Sequence, residues 1–315
     1  MSFGIVLSTL FVLILGISLT SNSQPLTDLL LMNAGMQLLL IIVVACLPFL
    51  RTGRMSFVDI AWPFGVALIG AQLLMFAQGD LLHVMVVGAV YLFIGLRMGV
   101  GAIVMGVTTG VIFKKEFPRY EYRRMIFEKE GTKHIKLHML AEIMAQGIAN
   151  MSVLALPAFI IASNTSSHIS NWEIIGLSLW AVAYTFESIA DSQKLYFISK
   201  NKNGVCNIGL WKFSRHPNYF SEWLVWTGLV VATVPSWLAL QATESTFVWL
   251  VMGVGVLCAS IMLYITLVYL TGAKPAEYYS VQKRAGYKEY QEKTSMFFPW
   301  FPKKGVEAKN ITVES

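Results

Sequence analysis

An all-α integral membrane protein, a bundle of about eight transmembrane helices with both termini in the cytosol, is the fold class that three observations of this sequence predict. First, the 315 residues are 56% hydrophobic and only 13% charged, with a mean hydropathy of +0.60, where a soluble protein carries roughly 25% charged residues. Second, apolar runs lie near 3–20, 29–50, 57–78, 81–112, 138–162, 172–196, 219–240 and 246–271. Each approaches the ~20 residues of helix that ~30 Å of hydrocarbon requires. They are continuous rather than alternating, which selects helices over a barrel. Third, the connections alternate in charge. Segments 21–28, 78–80, 163–171 and 241–246 hold no Lys or Arg, whereas 51–54, 114–136, 194–216 and 274–309 hold all 24 except Arg97. The positive-inside rule then places the basic segments and both termini in the cytosol. Topology accounts for the net charge of +6 without a nucleic-acid partner.

The first twenty residues lack a basic leader and a small-residue cleavage site, so they read as a first span rather than a signal peptide. Cys46, Cys206 and Cys258 have neither disulfide nor zinc spacing. With no internal repeat, the chain divides into N-terminal transmembrane helices (1–50) and one membrane domain (51–315). The third run opens as SFVDIAWPFG, with Asp59 just inside and Pro63 a turn later, able to open the backbone. The fourth run is too long for a simple crossing. Its Gly95-x-x-x-Gly99 and Gly106-x-x-x-Gly110 spacings suit close packing, and its glycines suggest a bend or a long tilt. Arg97 lies near its middle and must face an acid or a polar cavity. Asp59 is the natural partner class. It reads equally as one half of a salt bridge to Arg97, or as an acid held neutral that donates to a bound carbonyl oxygen, a role Tyr91 could share.

The segment 114–136 mixes charges and aromatics. It reads equally as an interfacial helix on anionic lipid and as a phosphate clamp of Arg119, Arg123 and Arg124. His134 and His138 are four apart with no third ligand, and five histidines in all are too few for a multi-histidine di-iron cluster. Metal catalysis is set aside. In the sixth run Glu187, Asp191 and Lys194 form one polar helix face, and Gln146 and Asn150 give the fifth run a smaller one. The densest polar chemistry is GLWKFSRHPNYFSEWLVWTG, residues 209–228. Pro217 suits the first position of a helix, and Glu222 then falls on the same face as Asn218. A carboxylate at that depth needs a partner, either Arg215 or a ligand donor. The tail adds Glu277, Tyr278, Tyr279, Arg284, Tyr287 and Tyr290, then Met296, Phe297, Phe298, Trp300 and Phe301 as interfacial anchors. Together these groups point to one cytosol-facing cavity in the C-terminal half.

FExxADxQK at 186–194, GLWxFSRHPNYFxEWLxWxG at 209–228 and the tail pattern RxGYxxY…FFP resemble the steroid 5-alpha-reductase-like superfamily. Within it, the nearest likeness is to a bacterial branch of uncharacterised membrane proteins with a reductase-type C-terminal domain. SFVDIAWPFG, the Leu96–Arg97 pair and the Gln146–Gly147 pair carry the same likeness, which runs from about 56 to 302. The resemblance implies a seven-helix reductase-like core with one added N-terminal helix. It implies NADPH held in a cytosol-facing cavity and reduction of an activated C=C bond in a lipid-like or steroid-like enone. By position, Asp191, Asn218, Tyr219 and Glu222, with Glu187 on the same face, would contact the nicotinamide–ribose part. Arg119, Lys194, Arg215, His216, Arg284, Tyr287 and Tyr290 would hold phosphates and adenosine. Asp59 stands where the steroid reductases use a Glu that, with a Tyr, hydrogen-bonds the substrate carbonyl; Asp59 and Tyr91 are the catalytic expectation.

Two alternatives stay open. One is an S-adenosylmethionine-dependent methyltransferase of the isoprenylcysteine type, on a related scaffold that shares RHPxY. The other is a sterol- or lipid-binding membrane protein without catalysis. Membrane lipids are the implied surroundings, no obligate protein partner is evident, and a bacterial inner membrane is favoured over the endoplasmic reticulum.

Overall fold

The computed structural model describes residues 3–303. Both chain ends, with Lys304 and Lys309, lie outside the described residues. Among those described, secondary structure is helical apart from an isolated bridge between Val111 and Lys115. Each predicted run coincides with one helical stretch, the fifth interrupted by turns at 152–155. The apolar α1 (Phe3–Ser18) is shorter than a span, and seven helices long and apolar enough to cross a membrane follow it. These are α2 (Gln24–Thr52), α3 (Met55–Phe76), α4 (Leu81–Thr109), α6 (Ile135–Ala162), α7 (Asn171–Lys200), α8 (Pro217–Ala242) and the stretch Thr246–Lys283. Between α4 and α6 lies the amphipathic α5 (Pro118–Lys129). The last stretch comprises α9 (Thr246–Ile265), a π turn at Thr266–Leu270 and α10 (Ala273–Lys283); α11 (Tyr287–Lys293) closes the fold.

Two boundaries depart from the hydropathy reading, for local reasons. α2 starts at Gln24 rather than 29 because Pro25 falls in its first turn, where a missing N–H costs nothing. α4 stops at Thr109 because Gly110 takes the left-handed conformation, φ +74°, and returns its N–H to Gly106 O.

The bundle is built from two tight helix pairs, α3 with α4 and α7 with α8, around a largely buried α6. Small residues make the pairs tight, since lipid supplies no hydrophobic drive between helices. A Cβ on Gly95 would lie 2.1 Å from Ala67 N and 2.5 Å from Pro63 O. One on Gly176 would lie 2.4 Å from Ala232 N. Gly95→Ala must therefore push two backbones apart, and should cost about 1–3 kcal/mol. Thermal unfolding in detergent should show this, with Gly101→Ala as the control, because a Cβ there meets nothing within 4 Å. Equal melting points would contradict the close approach.

The basic loops and the tail are tied to one end of this bundle. Arg123 pairs with Glu142, and Arg124 donates to Gly53 O at 2.7 Å. The tail returns across α8: Arg215 N donates to Ser295 O at 2.8 Å, and Ser214 Oγ donates to Phe297 O at 2.9 Å. Phe297 is buried against Phe220, Trp223 and Tyr264. Of the expected interfacial anchors, Phe298, Trp300 and Phe301 are the exposed ones.

Candidate functional site

A cavity of about 650 Å³ opens between the helices at this end. Its polar side chains fall on two walls.

The first wall joins α3 to α5. Glu116 organises it, because its carboxylate accepts from Met55 N at 2.6 Å, Ser56 N at 3.0 Å and Phe117 N at 3.0 Å. One acid thus satisfies free N–H groups at the start of both helices. Asp59, one turn into α3, then meets the first turn of α5. Its Oδ2 accepts from Arg119 Nη2 and its Oδ1 from Tyr120 Oη, each at 2.8 Å. Arg119 also lies over the Phe117 ring at 4.3 Å. Burial opposes its charge, but Asp59 outweighs that and holds the guanidinium above its ordinary value. Burial pushes the Tyr120 hydroxyl well above its usual range, so it remains a protonated donor.

The second wall joins α4, α7 and α8. Arg97 Nη1 donates to Glu187 Oε1 at 2.6 Å and Nη2 to Asp191 Oδ2 at 3.4 Å, with the guanidinium over Tyr184 at 4.7 Å. Asn218 Nδ2 donates to Asp191 Oδ1 at 3.0 Å. Asn218 Oδ1 is buried with no hydrogen-bond partner among the described residues. Glu222, one turn further along α8, lines the cavity without a hydrogen bond or ion pair among the described residues. Tyr219 completes the wall and stacks on His216, centroids 5.2 Å apart.

The structure thus brings Asp59, Arg97, Arg119, Gln146, Glu187, Asp191, Asn218, Tyr219 and Glu222 to one cavity and leaves Tyr91, Lys194, Arg215, His216, Arg284, Tyr287 and Tyr290 outside it. Tyr91 is a correction. It is 0% exposed, its hydroxyl donates to Leu154 O at 2.9 Å and its ring packs on Trp226, so it is core. The tyrosine beside Asp59 is Tyr120, which one sequence could not single out from the aromatics of 114–136. Arg97 is likewise not the partner of Asp59; their acids and cations are exchanged, with Arg119 taking Asp59. Nor does Arg215 face Glu222. Its fork grips Glu277 at 2.6 and 3.1 Å and donates to Gln291 O at 2.9 Å and to Thr294 O. His216 Nε2 lies 3.2 Å from the same carboxylate, and burial lowers the imidazole's pKa. Tyr290 donates to Trp211 O, and Tyr287 packs edge-on against it, its hydroxyl pushed up to about 12 by burial. These four latch the tail and are not free to hold phosphate.

Lys194 and Arg284 differ. Lys194 lies over the Trp211 ring at 4.2 Å, and Arg284 donates to Ser280 Oγ at 2.8 Å. Neither has a carboxylate partner among the described residues, and both lie near Cys206, beyond the cavity.

This arrangement fits one end of a dinucleotide better than the other. Two acceptors without donors, Asn218 Oδ1 and Glu222, suit a carboxamide or hydroxyl ligand. Phosphate does not suit the cavity itself. Five carboxylates line it (Asp59, Glu142, Glu187, Asp191 and Glu222) against two guanidiniums, Arg97 and Arg119, both paired. The pyrophosphate end would lie outside, toward Lys194 and Arg284.

Comparison with known proteins narrows the chain's kinship without assigning an activity. No solved structure matches it. Over 174 residues it is 25% identical to an uncharacterized protein of Schizosaccharomyces pombe, C594.04c, covering 48% of this chain and 46% of that protein. The matched stretch is about half the length of either. A family model described as a protein of unknown function, DUF1295, matches residues 47–294, from the end of α2 through α11 and hence both polar walls. The chain belongs to the DUF1295 family.

Proposed function

We propose that the chain is an NADPH-dependent membrane reductase acting on an activated C=C bond of a lipid-like or steroid-like enone. The observation that carries this reading is the meeting of the Asp191–Asn218–Glu222 wall and the Asp59–Arg119–Tyr120 wall across one cavity. The chemistry NADPH supplies when bound is hydride transfer. Asn218 and Glu222 offer acceptors to its amide end, Asp191 and Tyr219 adjoin them, and Lys194 and Arg284 remain for its phosphates. On the opposite wall, Asp59 fixes the Arg119 guanidinium and the Tyr120 hydroxyl. A substrate carbonyl beside these donors would have its developing negative charge stabilised by a preorganised cation and a buried O–H. The remainder of the lining is largely apolar. Because the basic loops lie at the cavity's end, the positive-inside rule places that end in the cytosol, where NADPH is available.

Tyr120→Phe tests the assignment. In reconstituted protein supplied with NADPH and a panel of enone lipids, kcat should fall about 10²-fold with nucleotide affinity unchanged. Full turnover in that variant would remove Tyr120 from the chemistry.

The excess of cavity carboxylates favours a second reading. A sulfonium cofactor such as S-adenosylmethionine carries positive charge and no phosphate, so Glu187, Asp191 and Glu222 would attract it. The two readings separate on which compound saturates the protein.

A further inference from the structure

We propose that Tyr219 moves the proton at the α-carbon of the substrate: its phenol O–H protonates the enolate that remains once hydride has bonded to the β-carbon. This deepens the reductase reading by naming its acid, and rests on that reading for the direction of the reaction alone.

Reduction of an enone needs a hydride and a proton. Hydride makes the new C–H bond at the β-carbon, and the π electrons of the C=C bond move toward the carbonyl oxygen as an enolate. The α-carbon then uses that electron pair to take H⁺ from an acid, whose O–H bond breaks. An enolate is a much stronger base than a phenolate, and a phenol titrates at about pH 10, so a tyrosine can supply this proton.

The cavity leaves few acids for the step. Among the described residues no histidine or lysine lines it. A guanidinium does not give up its proton. Asp59, Glu142, Glu187 and Asp191 are held by arginines, and Glu222 serves the amide end of the nucleotide. Tyr120 gives its O–H to Asp59. The hydroxyls of Thr266 and Thr271 are far weaker acids than a phenol. Tyr219 remains, and its hydroxyl makes no hydrogen bond among the described residues.

Its placement suits the step. The α-carbon is bonded to the carbonyl carbon, so an acid for it must lie close to Arg119. Tyr219 follows Asn218 at the start of α8, yet its phenol feels the charges of Arg119 and Asp59 as well as those of Asp191 and Glu222. It therefore sits where the two walls meet. Its ring lies parallel to that of His216, with centroids 5.2 Å apart and an interplanar angle of 5°, and His216 is fixed in turn by Glu277 at 3.2 Å. The latch that ties down the tail thus also aims the phenol. After the transfer, the phenolate faces the Arg119 guanidinium and regains a proton from water at the cavity's cytosolic end.

The reverse of this step needs no nucleotide, and that is where it is tested. The full chain in phosphatidylcholine vesicles is given a long-chain alkylcyclohexanone in deuterium oxide without NADPH, and deuterium at the α-carbons is read by NMR. Tyr219 should exchange one of the two hydrogens on an α-carbon about 10²-fold faster than protein-free vesicles do, with no such excess in Tyr219→Phe. Exchange needs the phenolate, so its rate should rise with pH. A ring-fluorinated tyrosine at 219 keeps the shape and makes the phenol a stronger acid. It should move that rise to lower pH, although Arg119 of α5, Asp59 of α3, Asp191 of α7, and Glu222 and His216 beside it are unchanged. Exchange that is equal on both faces, survives Tyr219→Phe or ignores the fluorine would overturn the assignment. Supplying NADPH and the enone panel keeps the two ideas apart. Face-selective exchange that needs Tyr219, in a protein that never oxidises NADPH, sinks the reductase reading alone. NADPH oxidation by enones without that exchange sinks this one alone.

Discussion

Arg215→Ala is expected to destabilise the protein by about 3–5 kcal/mol, because it leaves a buried carboxylate without its cation. Glu277 and Arg215 are both buried, and the guanidinium donates two hydrogen bonds to that carboxylate and two more to tail carbonyls. Removing the arginine leaves Glu277 with only His216 at 3.2 Å and Gln291 Nε2 at 2.6 Å. The carbonyls of Gln291 and Thr294 lose their donor as well. The tail after Lys283 should then become open to protease, and the melting point in detergent should fall. Arg215→Lys keeps the charge but not the planar fork, so it should recover only part of the loss. An unchanged melting point and digestion pattern would mean that the latch contributes little.

Glu222→Gln should do the opposite, leaving the fold intact while removing the ligand. Glu222 has no hydrogen-bond partner among the described residues to lose, so stability should hold. A hydrogen bond from a nucleotide amide to a carboxylate is worth about 1.5–3 kcal/mol, so NADPH affinity should fall roughly 10- to 100-fold. Calorimetric titration of both proteins, alongside their melting curves, checks this. Equal affinity would show that the cofactor, if it binds, lies elsewhere.

What the sequence made legible follows from the physics of each feature. Spans were readable because hydrocarbon thickness imposes a length on every helix alike, and the alternation of basic loops is a sum over many residues. Pairs four apart on one helix, Glu187 with Asp191 and Asn218 with Glu222, were readable because helical geometry places them together; both reach the cavity. Pairings between helices were not readable. Asp59 could meet Arg97 or Arg119 with equal chemical sense, and only the packing of α5 on α3, set by Glu116, decides for Arg119. The 209–228 stretch held two jobs in adjacent residues. Arg215 and His216 end the loop and turn to the tail, whereas Asn218 begins the α8 face that turns to the cavity. Charge type cannot separate structural from ligand-facing cations, and so Arg215 and Lys194 looked alike.

The claim on which the functional reading stands is that the two polar walls enclose a site for the nicotinamide end of NADPH. Titration of the purified, reconstituted chain with NADPH and separately with S-adenosylmethionine tests it most directly. Saturable binding of NADPH, weakened in Glu222→Gln, is the predicted result. Saturable binding of S-adenosylmethionine with none of NADPH would contradict it.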